Sequence, residues 1–476
     1  MFDVAIIGCG VVGAACAYTL SKYTISCVVL EEQNDVATGT TKANSAILHA
    51  GYDPPAGSEM AALNVQGVKL AKQICADLDV PYKQVGSLVV GYDKSQLAQI
   101  QALYQNGVAN GVSGLAILSG EKAKKMEPSL SEKVMGALYA PTAAIVSPWE
   151  YALAMAQVAV KNGVTLKLNS KVQTIAWDQD HFDLTTEKET VSARFVINAA
   201  GVFAHQVASM LGKPAFESKP ARGMYYLLDK SEGERVHHIV FSCPTKLGKG
   251  VLVTPTVDGN LIVGPDHVPS LPDDTATTAK GLEEVAAAAK INVPSINFRA
   301  NIRNFAGVRA ATDQKGFAIS ADKSYPHMIH LAGIQSPGLS AAPAIATKAR
   351  DMLSKAGLLL IDKPHFDGRR SHTVFARLTP LQKRDLIKSN PDYGQVVCRC
   401  QCITKGEILQ SLQQPIPPVS VDGVKRRCGA GMGRCQGGFC GPGVVQILAQ
   451  HYGVSPVDIL QDLNGSYLLT GKTKGE

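Results

Sequence analysis

Six of the chain's eleven cysteines fall between residues 398 and 440: Cys398, Cys400, Cys402, Cys428, Cys435 and Cys440. Thiolates packed this closely can bind a metal, carry electrons or pair as disulfides. MFDVAIIGCG enters a strand with no basic n-region, so no secretory signal is expected. A cytoplasmic, reducing location is expected instead, where clustered thiols more often bind metal or do redox work. Both iron–sulfur and zinc chemistry are open at this point.

A second constellation stands at the other end of the chain. Gly8, Gly10 and Gly13 form G-x-G-x-x-G between an apolar run, Val4 to Ile7, and a helical stretch from Ala14 to Leu20. The first glycine permits a sharp turn, the second lets a pyrophosphate approach the backbone, and the third lets helix pack on strand. Ser26 to Leu30 reads as the next strand. Glu31 ends it, 18 residues after Gly13, where a carboxylate can hold a ribose hydroxyl. Two further strand-to-glycine junctions, FVINAAGVFA and MIHLAGIQSPGLSAAPAIATKARDML, imply a ligand longer than NAD. FAD is favoured.

These stretches need a scaffold. A length of 476 residues predicts two or three domains. Hydrophobic content of 45% and charged content of 18% are ordinary for a soluble α/β protein. The longest apolar stretch, Val4 to Leu20, is broken by three glycines and is not expected to cross a membrane. Between Lys363 and Lys388 stand seven Lys/Arg and two Asp/Glu. That stretch is expected to be a solvated linker, with docking of an acidic partner as the alternative. No aromatic-basic platform accompanies the charge, so nucleic-acid binding is not expected. VLVTPTVDGNLIVGP reads as a hairpin about Asp258-Gly259. KVQTIAWDQDHFDLTTEKETVSARFVIN reads as a meander, and Lys94 to Ala109 as an amphipathic helix.

Taken together, GCGVVGAACAYTLSK, TTKANSAILHAGYDPPAGS, RGMYYLLDK, GKGVLVTPTVDGNLIVGP, NFAGVRAA and AGIQSPGLSAAPAIA resemble the D-amino-acid-oxidase-type flavoprotein superfamily. Within it they are similar to the anaerobic-type glycerol-3-phosphate dehydrogenases and the related L-2-hydroxyglutarate oxidases. The resemblance implies a glutathione-reductase-type Rossmann FAD domain from residues 1–81, 146–213 and 301–362. A mixed-sheet substrate domain from 82–145 and 214–300 would be inserted into it. Residues 363–395 would be a basic linker and 396–476 a small helical iron–sulfur domain. The implied FAD contacts are Gly8, Gly10, Gly13, Glu31, Thr40, Thr41, Asn44, Ser45, Val172, Ala200, Gly201, Gly333, Gly338 and Leu339.

Oxidation of a secondary alcohol by flavin needs a base for the hydroxyl proton, a C–H aimed at the flavin and a grip on the substrate. His49 follows the loop that by resemblance passes the flavin, and an imidazole titrating near neutrality suits the base. Arg309 stands where the superfamily grips an anionic substrate, and its guanidinium fork fits phosphate or carboxylate. Arg222, Tyr225, Tyr226 and Tyr52 are further substrate-site candidates. Strand alternation sends Tyr225 and Tyr226 to opposite faces, so one at most is expected in the pocket. His237, His238 and His330 read as structural. Relatives usually carry an acid where this chain has Met224, which leaves substrate preference open.

The C-terminal stretch resembles the bacterioferritin-associated-ferredoxin type of [2Fe–2S] module. By that match the ligands are Cys398, Cys400, Cys435 and Cys440. Thiolates suit such clusters, whereas structural zinc prefers C-x2-to-4-C pairs over this C-x-C. Pro442 is expected to start a helix, Val444 to Tyr452, whose positive end faces the cluster. Cys402 and Cys428 are surplus to the match. The resemblance thus implies oxidation of sn-glycerol 3-phosphate, with electrons leaving singly through the cluster to a flavoprotein of NAD(FAD) type or a quinone-linked subunit. Such a partner could hold the chain at a membrane periphery. The alternatives are an L-2-hydroxy acid substrate, or a non-catalytic electron-transfer subunit.

Overall fold

In the computed structural model, residues 1–244, 250–370, 372–471 and 473–474 are described. Gly248 and Lys249 of one quoted motif, Ser371 of the linker stretch, and Lys472, Gly475 and Glu476 of the last domain lie outside the described residues.

Strand Phe2–Ile7 sits at the centre of the first sheet, parallel to Cys27–Leu30 on one side and Thr190–Asn198 on the other. Val4, Ala5 and Ile6 are fully buried because both faces of the strand are covered, Val4 and Ile6 by helices and Ala5 by meander residues such as Ile175, Phe182 and Leu184, which explains the unbroken apolar run. Thr165–Lys167 extends the sheet beyond Cys27–Leu30, and Met328–Ala332 pairs with the end of Thr190–Asn198. The meander is as expected: Thr174–Asp178 and His181–Thr185 run antiparallel and return the chain to Thr190–Asn198. Helix Val11–Leu20 packs between helices Pro148–Lys161 and Gly338–Lys355. Helix Glu59–Asp77 crosses Gly338–Lys355 at Gly67, where a Cβ would lie 2.2 Å from the Ser340 carbonyl. That close approach needs glycine.

Among the described residues the second sheet has nine strands. Ser87–Gly91, Gly136–Ala140 and Ala116–Ser119 form one part, and Ile239–Ser242, Leu252–Pro255, Leu261–Gly264, Ala221–Leu228 and Val268–Pro269 the other. The expected hairpin is Leu252–Pro255 with Leu261–Gly264. Strand Asn301–Arg309 pairs along Ala221–Leu228, from Ala221 opposite Arg309 to Leu228 opposite Asn301. By hydrogen bonding it belongs to this sheet, and the chain re-enters the first sheet's layer only after Arg309.

The basic stretch is not a free tether. Arg370 is buried against Glu150 at 2.8 Å and also donates to Gln157, Lys363 donates to the Asn162 carbonyl, and the Phe375 amide donates to Glu407. Helix Pro380–Ser389 within it has no buried residue. Beyond it, hairpin Val396–Cys398 with Ile403–Thr404 and helices Lys405–Ser411, Val421–Cys428 and Gly441–Tyr452 surround a separate small core. Among the described residues no helix is long and apolar enough to cross a membrane.

Candidate active site and cluster site

A cavity of about 2060 Å³ runs from the glycine turn, between the two sheets, to the C-terminal module. A small-ligand pocket is typically about 300–1,000 Å³. This one has room for a dinucleotide and a second ligand.

Gly8 and Gly10 line its inner end. Gly8 has φ +94°, and a Cβ there would meet the Ala199 carbonyl at 2.8 Å. A Cβ on Gly13 would come within 2.0 Å of the Gly8 carbonyl, so Gly13 lets the helix sit on the turn and does not itself border the cavity. Thr41 Oγ1 accepts from the Val11 amide at 2.9 Å, fixing the following loop against the helix start. Thr40 donates to the Val308 carbonyl at 2.7 Å, and Asn44 donates to the carbonyls of Thr40 and Thr41. Glu31 is buried at the cavity wall, accepting from the amides of Cys9 at 2.7 Å and Gln33 at 3.0 Å. Burial pushes its carboxyl up to about 7, against the pull of those two amides. Val172, Ala200, Gly201, Gly338 and Leu339 also line the cavity, whereas Gly333 does not. The cradle fits FAD: the phosphates have a glycine turn at a helix N-terminus, and the ribose a carboxylate. Thr38, Gly39, Lys171 and Gln335 border the same space and are not among the implied FAD contacts.

His49 borders the cavity too. Its amide donates to Ser340 Oγ at 2.6 Å, and its carbonyl accepts from Asn64 at 3.2 Å. The backbone is thereby fixed to helices Gly338–Lys355 and Glu59–Asp77. The ring lies between Tyr52, at 5.3 Å, and Phe241, at 5.1 Å. Tyr52 is buried behind His49 and does not reach the cavity.

Arg309 lies at the other side of the cavity. Its Nη2 donates to the Asp266 carbonyl at 2.9 Å and its Nη1 to the Arg222 carbonyl at 3.2 Å. The guanidinium passes over Gly223, where a Cβ would lie 2.7 Å from Nη2. Tyr225 lines the cavity, stacked on Phe305 at 4.8 Å and 3.4 Å from Ser45 Oγ. Tyr226 faces away and packs edge-on against Phe298, so alternation divides the two tyrosines as expected. Arg222 is elsewhere: its Nη1 is held by both Asp274 oxygens, at 2.8 and 2.7 Å, and it does not line the cavity. Met224 also turns away, packing with Leu282 and Ala306. An acid at that position in relatives therefore carries no implication for the cavity in this chain. His238 pairs with Glu127, and His330 with Asp322 and Asn198, as structural histidines do.

The four matched cysteines fall into two pairs. Cys400 and Cys435 are exposed with sulfurs 3.4 Å apart, and Cys398 and Cys440 are buried beside each other. Backbone amides of Phe439 and Gly437, together with the Cys400 thiol, hold the Cys435 thiol below its usual range. A Cβ on Gly433 would lie 2.4 Å from Cys400 Cβ, so the two ligand loops meet only because that residue is glycine. Cys440 caps helix Gly441–Tyr452, with Pro442 in its first turn. Among the described residues no three His, Cys, Asp or Glu side chains converge as a single-ion site. Two sulfur pairs fit a two-iron cluster better than one tetrahedral zinc. Of the surplus thiols, Cys402 is exposed, and Cys428 is shielded and donates to the Val424 carbonyl at 3.4 Å.

Residues 3–352 match the model of the FAD dependent oxidoreductase family, and residues 396–450 that of the BFD-like [2Fe-2S] binding domain. The chain is 44% identical to a glycerol 3-phosphate dehydrogenase of Caloramator mitchellensis, over 100% of both chains. It is 30% identical to human mitochondrial L-2-hydroxyglutarate dehydrogenase over 56% of this chain and 61% of that one. Among solved structures it resembles the dithionite-reduced, FAD-bound L-alpha-glycerophosphate oxidase of Mycoplasma pneumoniae. That likeness has TM-score 0.74 and 30% identity, covering 78% of this chain and 98% of that one.

Proposed function

The chain belongs to the FAD dependent oxidoreductase family, and on that premise we propose that it oxidises sn-glycerol 3-phosphate to dihydroxyacetone phosphate and delivers the electrons to a protein partner. The observation that carries the reading is the shared cavity: the glycine cradle, His49 and Arg309 border one continuous space. The full-length likeness to a glycerol 3-phosphate dehydrogenase, cysteine module included, favours this substrate over an L-2-hydroxy acid.

FAD, when bound, supplies the two-electron acceptor for the carbinol C–H. A ring nitrogen of His49 takes the hydroxyl proton, and the Tyr52 and Phe241 rings limit its movement and exclude water. Arg309 fixes the anionic end, with its fork held in plane by backbone carbonyls. Tyr225 walls the space between. The exposed Cys400–Cys435 pair puts one edge of the cluster module at the surface, the side from which a flavoprotein or quinone-linked acceptor would take electrons. The basic stretch from Lys363 to Lys388 would assist its docking, and the enzyme would work in the cytoplasm.

Anaerobic mixing of the purified protein with sn-glycerol 3-phosphate, and separately with L-2-hydroxyglutarate, tests the substrate. Rapid bleaching of the flavin band by the phosphate alone is expected. Bleaching by the hydroxy acid alone would overturn the assignment.

A further inference from the structure

The loop Gly264–Val268 is pinned from several directions. Val268 pairs with Arg222 across the sheet edge, and Gly264 with Leu252. Between them Asp266 is held twice: its carbonyl accepts from Arg309 Nη2 at 2.9 Å, and its Oδ1 accepts from the Met224 amide at 2.6 Å. The Asp266 carboxylate also points to the first turn of helix Ala279–Asn292, where a Cβ on Gly281 would come within 3.1 Å of Oδ2. Helix N-termini favour such a carboxylate. With Asp266 fixed, the next residue is delivered to the cavity, and His267 lines it together with Arg309 and Tyr225. His267 is exposed to this open space, and desolvation together with the Arg309 charge holds its imidazole below its usual range, against the pull of Asp266.

The geometry points to His267 as a specificity-determining residue, the second arm of an anion clamp whose first arm is Arg309. The inference rests on the reading that the substrate carries a phosphate. A phosphate monoester bears about −1.5 to −2 charge at neutral pH, against −1 for a carboxylate. Arg309 supplies one positive charge, and three backbone carbonyls already take bonds from its two terminal nitrogens. A phosphate therefore has oxygens and charge left over, and His267 offers them a ring N–H. A carboxylate is satisfied by the guanidinium fork alone and gains little from the histidine.

The test uses the holoenzyme as wild type, His267→Ala and His267→Asn, titrated with inorganic phosphate and followed by the flavin difference spectrum. Steady-state rates with sn-glycerol 3-phosphate are measured beside it. The alanine variant should bind phosphate about tenfold more weakly, the loss expected for one charge-assisted hydrogen bond. Its KM should rise in parallel while kcat stays within about twofold, and asparagine should recover part of the loss. Equal phosphate affinity in wild type and His267→Ala would overturn the clamp, as would failure of the wild type to bind phosphate at all. If the wild type binds phosphate but is not reduced by sn-glycerol 3-phosphate, the substrate assignment fails separately. The phosphate titration then still decides the role of His267.

Discussion

Asp35 and Arg427 stand 392 positions apart in the chain and meet in a buried pair, with Asp35 Oδ1 2.8 Å from Arg427 Nη2 and Oδ2 2.9 Å from Nη1. Arg426 adds a third and fourth bond to Oδ2, and also reaches Asp462 at 2.6 Å. Asp35 belongs to the loop after the second strand, four residues beyond Glu31. The cysteine module is thus clamped to the loop that shapes the dinucleotide cradle. A second clamp joins it to the other sheet, through Arg434 to Asp229 at 2.8 Å and Lys230 to Gln401 at 3.0 Å.

Removing one member of a buried pair leaves the other charge unsatisfied, at a cost of about 3–5 kcal/mol. Asp35→Ala should therefore lower the urea midpoint of unfolding and loosen the module, read as faster proteolysis between residues 363 and 395. Burial pushes the Asp35 carboxyl up, but Arg427 and Arg426 outweigh it and bring it down to about 2. A depressed acid stabilises the fold above its unfolded value of about 3.9. That contribution is lost as pH falls from about 4 toward 2, and an unchanged acid midpoint in the variant would contradict the clamp.

Glu31 has the opposite sign. Its folded value, about 7, lies above the unfolded one, so its contribution to the apoprotein is complete below about pH 4.3 and is lost as pH rises through 7. Urea midpoints of apoprotein from pH 5 to 8 should fall less steeply in Glu31→Gln than in wild type. Glu31→Ala should also weaken FAD binding by about tenfold or more, measured by fluorescence titration.

His49→Asn should slow anaerobic flavin reduction by about 10²-fold or more, the usual contribution of a general base, while KM changes little. A reduction rate equal to wild type would remove His49 from the proton transfer.

Cys400→Ser or Cys435→Ser should release iron and acid-labile sulfide while leaving the flavin spectrum intact, because the cysteine module has its own core. Zinc at one equivalent with no sulfide in the wild type would refute the two-iron assignment.

Tyr225→Phe should raise KM for the substrate a few-fold, since its ring lines the cavity near Ser45. Tyr226→Phe should leave the kinetics as they are.

Periodicity and spacing make the framework legible in the sequence. G-x-G-x-x-G between an apolar run and a helix has one common physical use, and alternation alone separated Tyr225 from Tyr226. The C-x-C and C-x4-C spacing with its glycines could be matched as a module. These are local signals, because a turn, a strand face or a ligand loop is specified by residues within a few positions of one another. Contacts between distant segments were not legible. Arg222 carries the same charge as Arg309 and sits beside the same candidates in sequence, yet Asp274 holds it outside the cavity. Met224 looked like a substrate-side departure and packs instead against Leu282. His267 had no motif, and reaches the cavity because Asp266 is anchored by Met224 and Arg309. The sequence by itself determined the dinucleotide framework, since its glycines act through local backbone geometry, while the cysteine ligands came from the resemblance and pair across the fold. Only the tertiary structure decided which charged side chains reach the cavity, because a charge is committed by whichever partner folding brings within about 3 Å.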